Sequence, residues 1–130
     1  MSQMKKRILI VDDEKDVGKT FKMILENYGF ITDFFTDPAL ALEKFEPNLY
    51  NLTILDIKMP KINGFELYER LKSIDSNIKT IFISALSYLK SYNAQSSKVQ
   101  PLKGERHFIK KPVSNKELLE QVYSMMSTLD

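Results

Sequence analysis

Ile8-Leu9-Ile10-Val11, followed at once by Asp12-Asp13-Glu14, is the stretch on which the fold turns. Four apolar, mostly β-branched residues without polar alternation describe a strand covered on both faces, as in the middle of a parallel sheet. The pattern returns at Leu52-Thr53-Ile54-Leu55, closed by Asp56, and at Thr80-Ile81-Phe82-Ile83, closed by Ser84. Two further short runs lie at 31–35 and at His107-Phe108-Ile109, the latter leading into Lys110-Lys111-Pro112. Between the runs, apolar residues recur at helical spacing: Val17, Phe21, Ile24, Leu25 and Tyr28; Leu40, Ala41 and Phe45; Phe65, Tyr68 and Leu71; Leu118, Leu119, Val122, Met125 and Met126. Asp37-Pro38 and Ser114-x-x-Glu117 read as helix starts, and Gly29 as a helix stop. A fourth helical stretch fades after Leu86, Leu89 and Tyr92, since 93–98 offers only Ala94; it is expected to be short or irregular. The repeated alternation predicts an α/β three-layer sandwich around a doubly wound, five-stranded parallel sheet.

The composition suits that architecture. A chain of 130 residues fits one domain, with its core expected over about 6–128. Hydrophobic residues at 43% and charged residues at 28% exclude a disordered or fibrous chain. With 19 basic and 17 acidic side chains the formal charge is +2, too small to predict a direct nucleic-acid surface. The absence of cysteine excludes disulfides, thiolate zinc sites and a cysteine nucleophile. No apolar run approaches the ~20 residues of a membrane span, and the basic start at 1–7 is followed by only four apolar residues before Asp12-Asp13, unlike a secretory signal. The expectation is a cytoplasmic protein without membrane contact.

Ligands of an open parallel sheet sit at the carboxyl ends of its strands, where the strand order reverses. Here those ends carry Asp12-Asp13, Asp56, Ser84 and Lys110-Lys111, while Thr36-Asp37 reads as turn and cap. Helix-dipole interactions of ~0.3–1 kcal/mol each account for acids at 12–14 taken alone. They do not account for Asp56 in the middle of the sheet, where burying a carboxylate is costly. Two carboxylates ~4 Å apart repel by ~4 kcal/mol at an effective dielectric near 20, so converging aspartates call for a cation. Mg²⁺ suits a few carboxylates beside a phosphate, with Lys111 and Ser84 supplying a fixed charge and a hydroxyl donor. That assembly suits phosphoryl transfer, with Asp56 as nucleophile and an aspartyl-phosphate as product.

The ordered set Ile8-Leu9-Ile10-Val11-Asp12-Asp13-Glu14, Leu55-Asp56-Ile57-Lys58-Met59-Pro60 with Asn63-Gly64, Ser84-Ala85 and Lys111-Pro112 resembles the receiver domain of two-component response regulators. The resemblance covers nearly the whole chain. It implies the flavodoxin-like strand order 2-1-3-4-5, of which a chemotaxis receiver is a standard example. It implies that Asp56 accepts phosphate from a histidine kinase or a histidine phosphotransfer protein in a phosphorelay, making the chain a signalling phosphoacceptor rather than an enzyme. Asp12, Asp13, Asp56 and the Lys58 backbone carbonyl would hold Mg²⁺. Lys111, preferred to Lys110 because the family's lysine precedes its proline, would pair with the phosphoryl group, and Ser84 would hydrogen-bond it. Phe108 matches the family's switch aromatic, which follows the hydroxyl residue and alters a protein-docking face. The peptide bond before the proline is often cis in such domains.

Some features depart from the pattern. Ser84 and Lys111 stand 27 positions apart, somewhat more than receivers usually show, and Gly104-Glu105-Arg106 replaces a small Gly-Ala step. Habits of output and dimerisation are therefore not carried over. With the last helix beginning near Ser114 and no output domain after it, a stand-alone receiver of the chemotaxis type is expected. Two other classes have weaker support. An aspartyl phosphohydrolase of the haloacid-dehalogenase kind begins with Asp-x-Asp, whereas Asp12 and Asp13 are adjacent; a receiver-shaped module that ignores phosphate finds its motive only in the region 93–106. Gly18-Lys19-Thr20 is no phosphate loop, because the required earlier glycine is Asp13. Asn51-Leu52-Thr53 opens a core strand, His107 is a single imidazole, and Met125-Met126 reads as core filling.

Overall fold

The computed structural model describes residues 6–85 and 106–126. Five strands, β1 (Arg7–Val11), β2 (Ile31–Phe35), β3 (Leu52–Asp56), β4 (Thr80–Ala85) and β5 (Arg106–Lys111), form one parallel sheet in the order β2-β1-β3-β4-β5. The described helices are α1 (Lys15–Asn27), α2 (Pro38–Lys44), α3 (Gly64–Ile74) and α4 (Asn115–Met126). The strands run further than their apolar runs suggested. β3 takes in Asp56, β4 takes in Ser84 and Ala85, and β5 runs from Arg106 to Lys111, so the two lysines belong to the strand. The stretch 86–102, expected to hold an irregular helix, lies outside the described residues apart from its approach at Ala85.

Alternation between faces explains the unbroken apolar runs. Leu9, Val11, Leu55 and Phe82 pack one way, against Ala41, Leu67 and Leu71. Ile8, Ile10, Ile54, Ile81, Ile83 and Ile109 pack the other way, against Phe21, Leu25, Leu118 and Val122. Each residue of these apolar runs faces a helix layer, so a polar residue there would lose water, while each buried aliphatic contributes ~1.5–3 kcal/mol. Register then aligns the functional ends. Val11 pairs with Leu55, Asp56 with Ile83 and Ala85 with Lys111, and the strand order reverses between β1 and β3.

The helix ends follow the sequence signals. Asp37 accepts a hydrogen bond from the Ala39 backbone N–H at 2.9 Å, with Pro38 opening α2. The Glu117 N–H donates to Ser114 Oγ at 3.0 Å, and Gly29 takes φ 92° beyond α1. Gly18, part of the rejected phosphate-loop pattern, lies buried in α1 with no space for a Cβ against the Phe34 ring. Met125 is core, as read. No described helix is long and apolar enough to cross a membrane.

One start signal went unread, although it was present. Asn63 Oδ1 accepts from the Glu66 N–H at 2.9 Å and the Glu66 side chain answers to the Asn63 N–H, a complete capping box on α3. Beside it the Gly64 N–H donates to Ile57 O at 2.8 Å, bringing α3 against the chain that follows Asp56. A Cβ at Gly64 would meet the Asp56 carbonyl oxygen and stand 2.9 Å from Ile57 Cα, both backbone atoms that cannot step aside as a side chain would. Gly64→Ala is therefore expected to destabilise the domain by about 1–3 kcal/mol, the range of local overpacking. Urea unfolding checks this; unchanged stability would mean the loop carrying Asp56 is not held by this approach.

Candidate functional site

Asp12 is the first residue beyond β1. Its backbone N–H donates to Phe35 O at 3.1 Å, and its Oδ1 accepts from the Glu14 N–H at 2.8 Å, so the carboxylate is fixed before any ligand arrives. Asp56 ends β3, the central strand, and is 4% exposed; Asp13 is exposed at the rim. Each of the three carboxylates has an oxygen within 4.8 Å of the others. From the opposite side Lys111, the last residue of β5, brings Nζ to 3.2 Å from Asp12 Oδ2 and 3.5 Å from Asp56 Oδ1, and donates to Glu14. Lys110 points out to solvent, and the Lys111-Pro112 bond is cis.

Ser84 completes the floor. It is 1% exposed, and its Oγ has no hydrogen-bond partner among the described residues. A cavity of about 520 Å³ opens over it, with Asp13, Asp56, Lys58, Met59 and Lys111 in its walls. A buried hydroxyl facing an open cavity normally loses free energy, so an unpaired one marks a place where a ligand atom can compensate. Phe108 sits apart from these polar atoms. Half-buried, it packs its ring 5.8 Å from Phe82 and 6.0 Å, edge-on, from Phe65.

The electrostatics lean negative: Asp12, Asp13, Asp56 and Glu14 gather around the ammonium of Lys111, with Lys58 in the cavity wall. Burial, then the neighbouring Asp12 charge, pushes the Asp56 carboxyl up to about 8. Burial likewise raises Asp12, against the opposing effects of the Glu14 N–H and Lys111. Burial works to neutralise Lys111, but Glu14, Asp12 and Asp56 hold its ammonium charged above the ordinary lysine value. Asp12 Oδ2, though buried, has no partner among the described residues beyond its 3.2 Å ion pair with Lys111, which leaves it a lone pair to offer. Hard oxygen donors, surplus negative charge and a free lone pair fit a divalent cation of the Mg²⁺ kind better than any softer metal.

The site thus gathers Asp12, Asp13, Asp56, Ser84 and Lys111, with Lys58 in the cavity wall and Phe108 in the adjoining core. Sequence reasoning missed the pairing of Glu14 with Lys111, having taken Glu14 for a dipole acid. The signal was its place at the start of α1, where a glutamate is a poor cap compared with Asn, Asp, Ser or Thr.

Comparison with known proteins gives the same picture. The sequence profile of the response regulator receiver domain matches residues 8–123. The chain is 32% identical over 124 residues to the chemotaxis protein CheY of Treponema pallidum, covering 92% of this chain and 82% of that protein. It is 28% identical to the transcriptional regulatory protein RprY of Bacteroides fragilis, of which it spans 50%. Among solved structures, a CheY-like response regulator receiver domain protein from Methanospirillum hungatei superposes with a TM-score of 0.75 at 30% identity over 95% of both chains.

A raised carboxyl means that the folded protein holds a proton the unfolded chain has released, so stability falls as pH climbs from the unfolded value near ~4 towards the folded one. In the presence of a chelator, Asp56→Asn is therefore expected to melt at a higher temperature than the wild type near pH 8. The gap should close as pH is lowered to 5. A gap independent of pH would show that Asp56 is not the strained charge.

Proposed function

The chain belongs to the response regulator receiver domain family, whose members are signalling phosphoacceptors served by histidine kinases or phosphotransfer proteins, and we propose that here the acceptor is Asp56. The observation that carries the reading is the placement of the Asp56 carboxylate, buried and central, 3.5 Å from the Lys111 ammonium and beside the Asp12–Asp13 pair. An Asp56 oxygen attacks the phosphorus of the donor in line. The oxygen–phosphorus bond forms as the donor's phosphorus–nitrogen bond breaks, and the leaving imidazole keeps the electron pair and takes up a proton.

This chain's own groups neutralise and orient the transferring group. Lys111 pairs with one equatorial phosphoryl oxygen, giving up part of its contact with the carboxylates, and Ser84 donates its unpaired hydroxyl to another. Asp12, Asp13, Asp56 and the Lys58 backbone carbonyl would hold Mg²⁺, which when bound supplies charge neutralisation at the phosphoryl oxygens. Movement of Ser84 toward the phosphoryl group makes room for Phe108 to turn inward from its half-buried seat, altering a docking surface for a downstream protein. Lys111 is the functional lysine of the pair, since Lys110 lies at the surface. A cytoplasmic location and the lack of direct nucleic-acid or membrane contact by this domain are parts of the same proposal.

Incubation with acetyl phosphate and Mg²⁺ is expected to give an acid-stable, base-labile phosphoryl adduct, detected by intact mass and located at Asp56. The adduct should be absent in Asp56→Asn and when a chelator replaces the metal. Lys111→Ala is expected to slow its formation by roughly 10²-fold, the scale of removing one preorganised charge-stabilising group. Failure of acetyl phosphate and every histidine-phosphate donor tried to label Asp56 would overturn the proposal.

A further inference from the structure

We infer that Glu14 is a positioning residue that holds Lys111 in reserve, so that the lysine exchanges Glu14 for the phosphoryl group when Asp56 is loaded. The inference rests on the phosphoacceptor reading above and adds a residue to it.

Glu14 occupies the N-cap of α1 with extended backbone, φ −85° and ψ 102°, yet its side chain makes no capping hydrogen bond. A capping side chain would bend back to the free backbone N–H groups of the first turn. Glu14 instead reaches across the mouth of the site to the Lys111 ammonium. The ammonium has three donors, and its described acceptors are Glu14, Asp12 and Asp56. A phosphoryl group on Asp56 therefore arrives at a lysine already engaged.

Of those three acceptors Glu14 is the one that can be surrendered. Asp12 and Asp56 are buried at 2% and 4% side-chain exposure, and a lost cation there leaves an uncompensated carboxylate. Glu14 is 59% exposed, so water takes the place of the ammonium, and exposed ion pairs contribute little. Glu14 also lines the cavity in which the phosphoryl oxygens would lie. The pair thus steadies Lys111 in the empty domain and opposes, by a small amount, its transfer to the phosphoryl group.

Titration calorimetry with beryllofluoride, a phosphoryl mimic, in excess Mg²⁺ tests this on the full chain. Glu14→Gln, which keeps shape and removes charge, is expected to bind beryllofluoride about two- to fivefold more tightly, the range of releasing an exposed ion pair. Glu14→Asp should restore wild-type affinity. Asp16→Asn, which removes a nearby exposed charge outside the Lys111 contacts, should leave affinity unchanged. Equal or weaker binding by Glu14→Gln, or an equal gain in Asp16→Asn, would overturn the inference. Absence of binding in the wild type would overturn the phosphoacceptor reading itself, and this inference with it.

Discussion

The attraction between one half-buried ammonium and a knot of carboxylates is what the functional end of this domain depends on. Lys111 approaches Asp12 and Asp56 to 3.2 and 3.5 Å, although its strand lies three places from β1 and two from β3 in the sheet. Without it the aspartates would face each other in a poorly solvated cleft, where like charges at such separations cost several kcal/mol. Even with it the balance is incomplete: burial, and after it the Asp12 charge, still push the Asp56 carboxyl up to about 8. The site is therefore built short of positive charge. A divalent cation is the kind of ligand that would relieve it by meeting the carboxylates; the phosphoryl anion of the proposed reaction would meet the lysine once that charge is in place.

Parallel topology makes this convergence possible for residues so distant in sequence. Every strand delivers its carboxyl end to the same edge, and the reversal between β1 and β3 leaves a crevice there because their following helices pack on opposite faces of the sheet. The two core layers set the heights of the strand ends by locking Ile10, Ile54 and Ile109 on one side and Val11, Leu55 and Phe82 on the other. Stability and function thus share a frame. A slip of one residue in any strand would turn its terminal side chain to the opposite face, which is why a site of this kind needs a fully buried sheet beneath it.

Much of this was legible from residues alone. Unbroken apolar runs identify buried parallel strands because no exposed face exists to demand alternation, and the acids, serine and lysines were readable as the residues closing those runs. The strand order was not legible in that way; it came with the family resemblance, since periodicity does not say which strands are neighbours. The polar residues that close the apolar runs, Asp56, Ser84 and Lys111, are themselves paired in the sheet, and at Asp56 and Ser84 burial continues through them, so a polar residue ended the apolar pattern without ending the strand. The contact between Glu14 and Lys111 was hidden for a different reason. Local rules assign an acid at a helix start to its own dipole, and only the tertiary fold shows a distant cation competing for it. Gly64 carried a readable name but not its reason, which is the proximity of the Asp56 backbone.

The face on which each site residue sits gives the proposed switch its physical route. Asp56 follows Ile54 by two positions and Lys111 follows Ile109 by two, so both continue the face that β3 and β5 present to α1 and α4. Ser84 follows Phe82 by two and continues the opposite face, toward α3. Phe82 pairs with Phe108 across β4 and β5, and both rings touch Phe65 on α3. The hydroxyl is thus the one phosphoryl-facing group that shares a side of the sheet with the aromatic cluster. A pull on Lys111 acts on the other layer, where it closes against α1; a pull on Ser84 acts on the layer that holds Phe108. Because close-packed side chains move between discrete arrangements, a displacement at Ser84 in the proposed switch would be passed on as a ring rearrangement instead of being absorbed. Charge neutralisation and switching are in this way assigned to different faces of one sheet, with Asp56 at the edge where they meet.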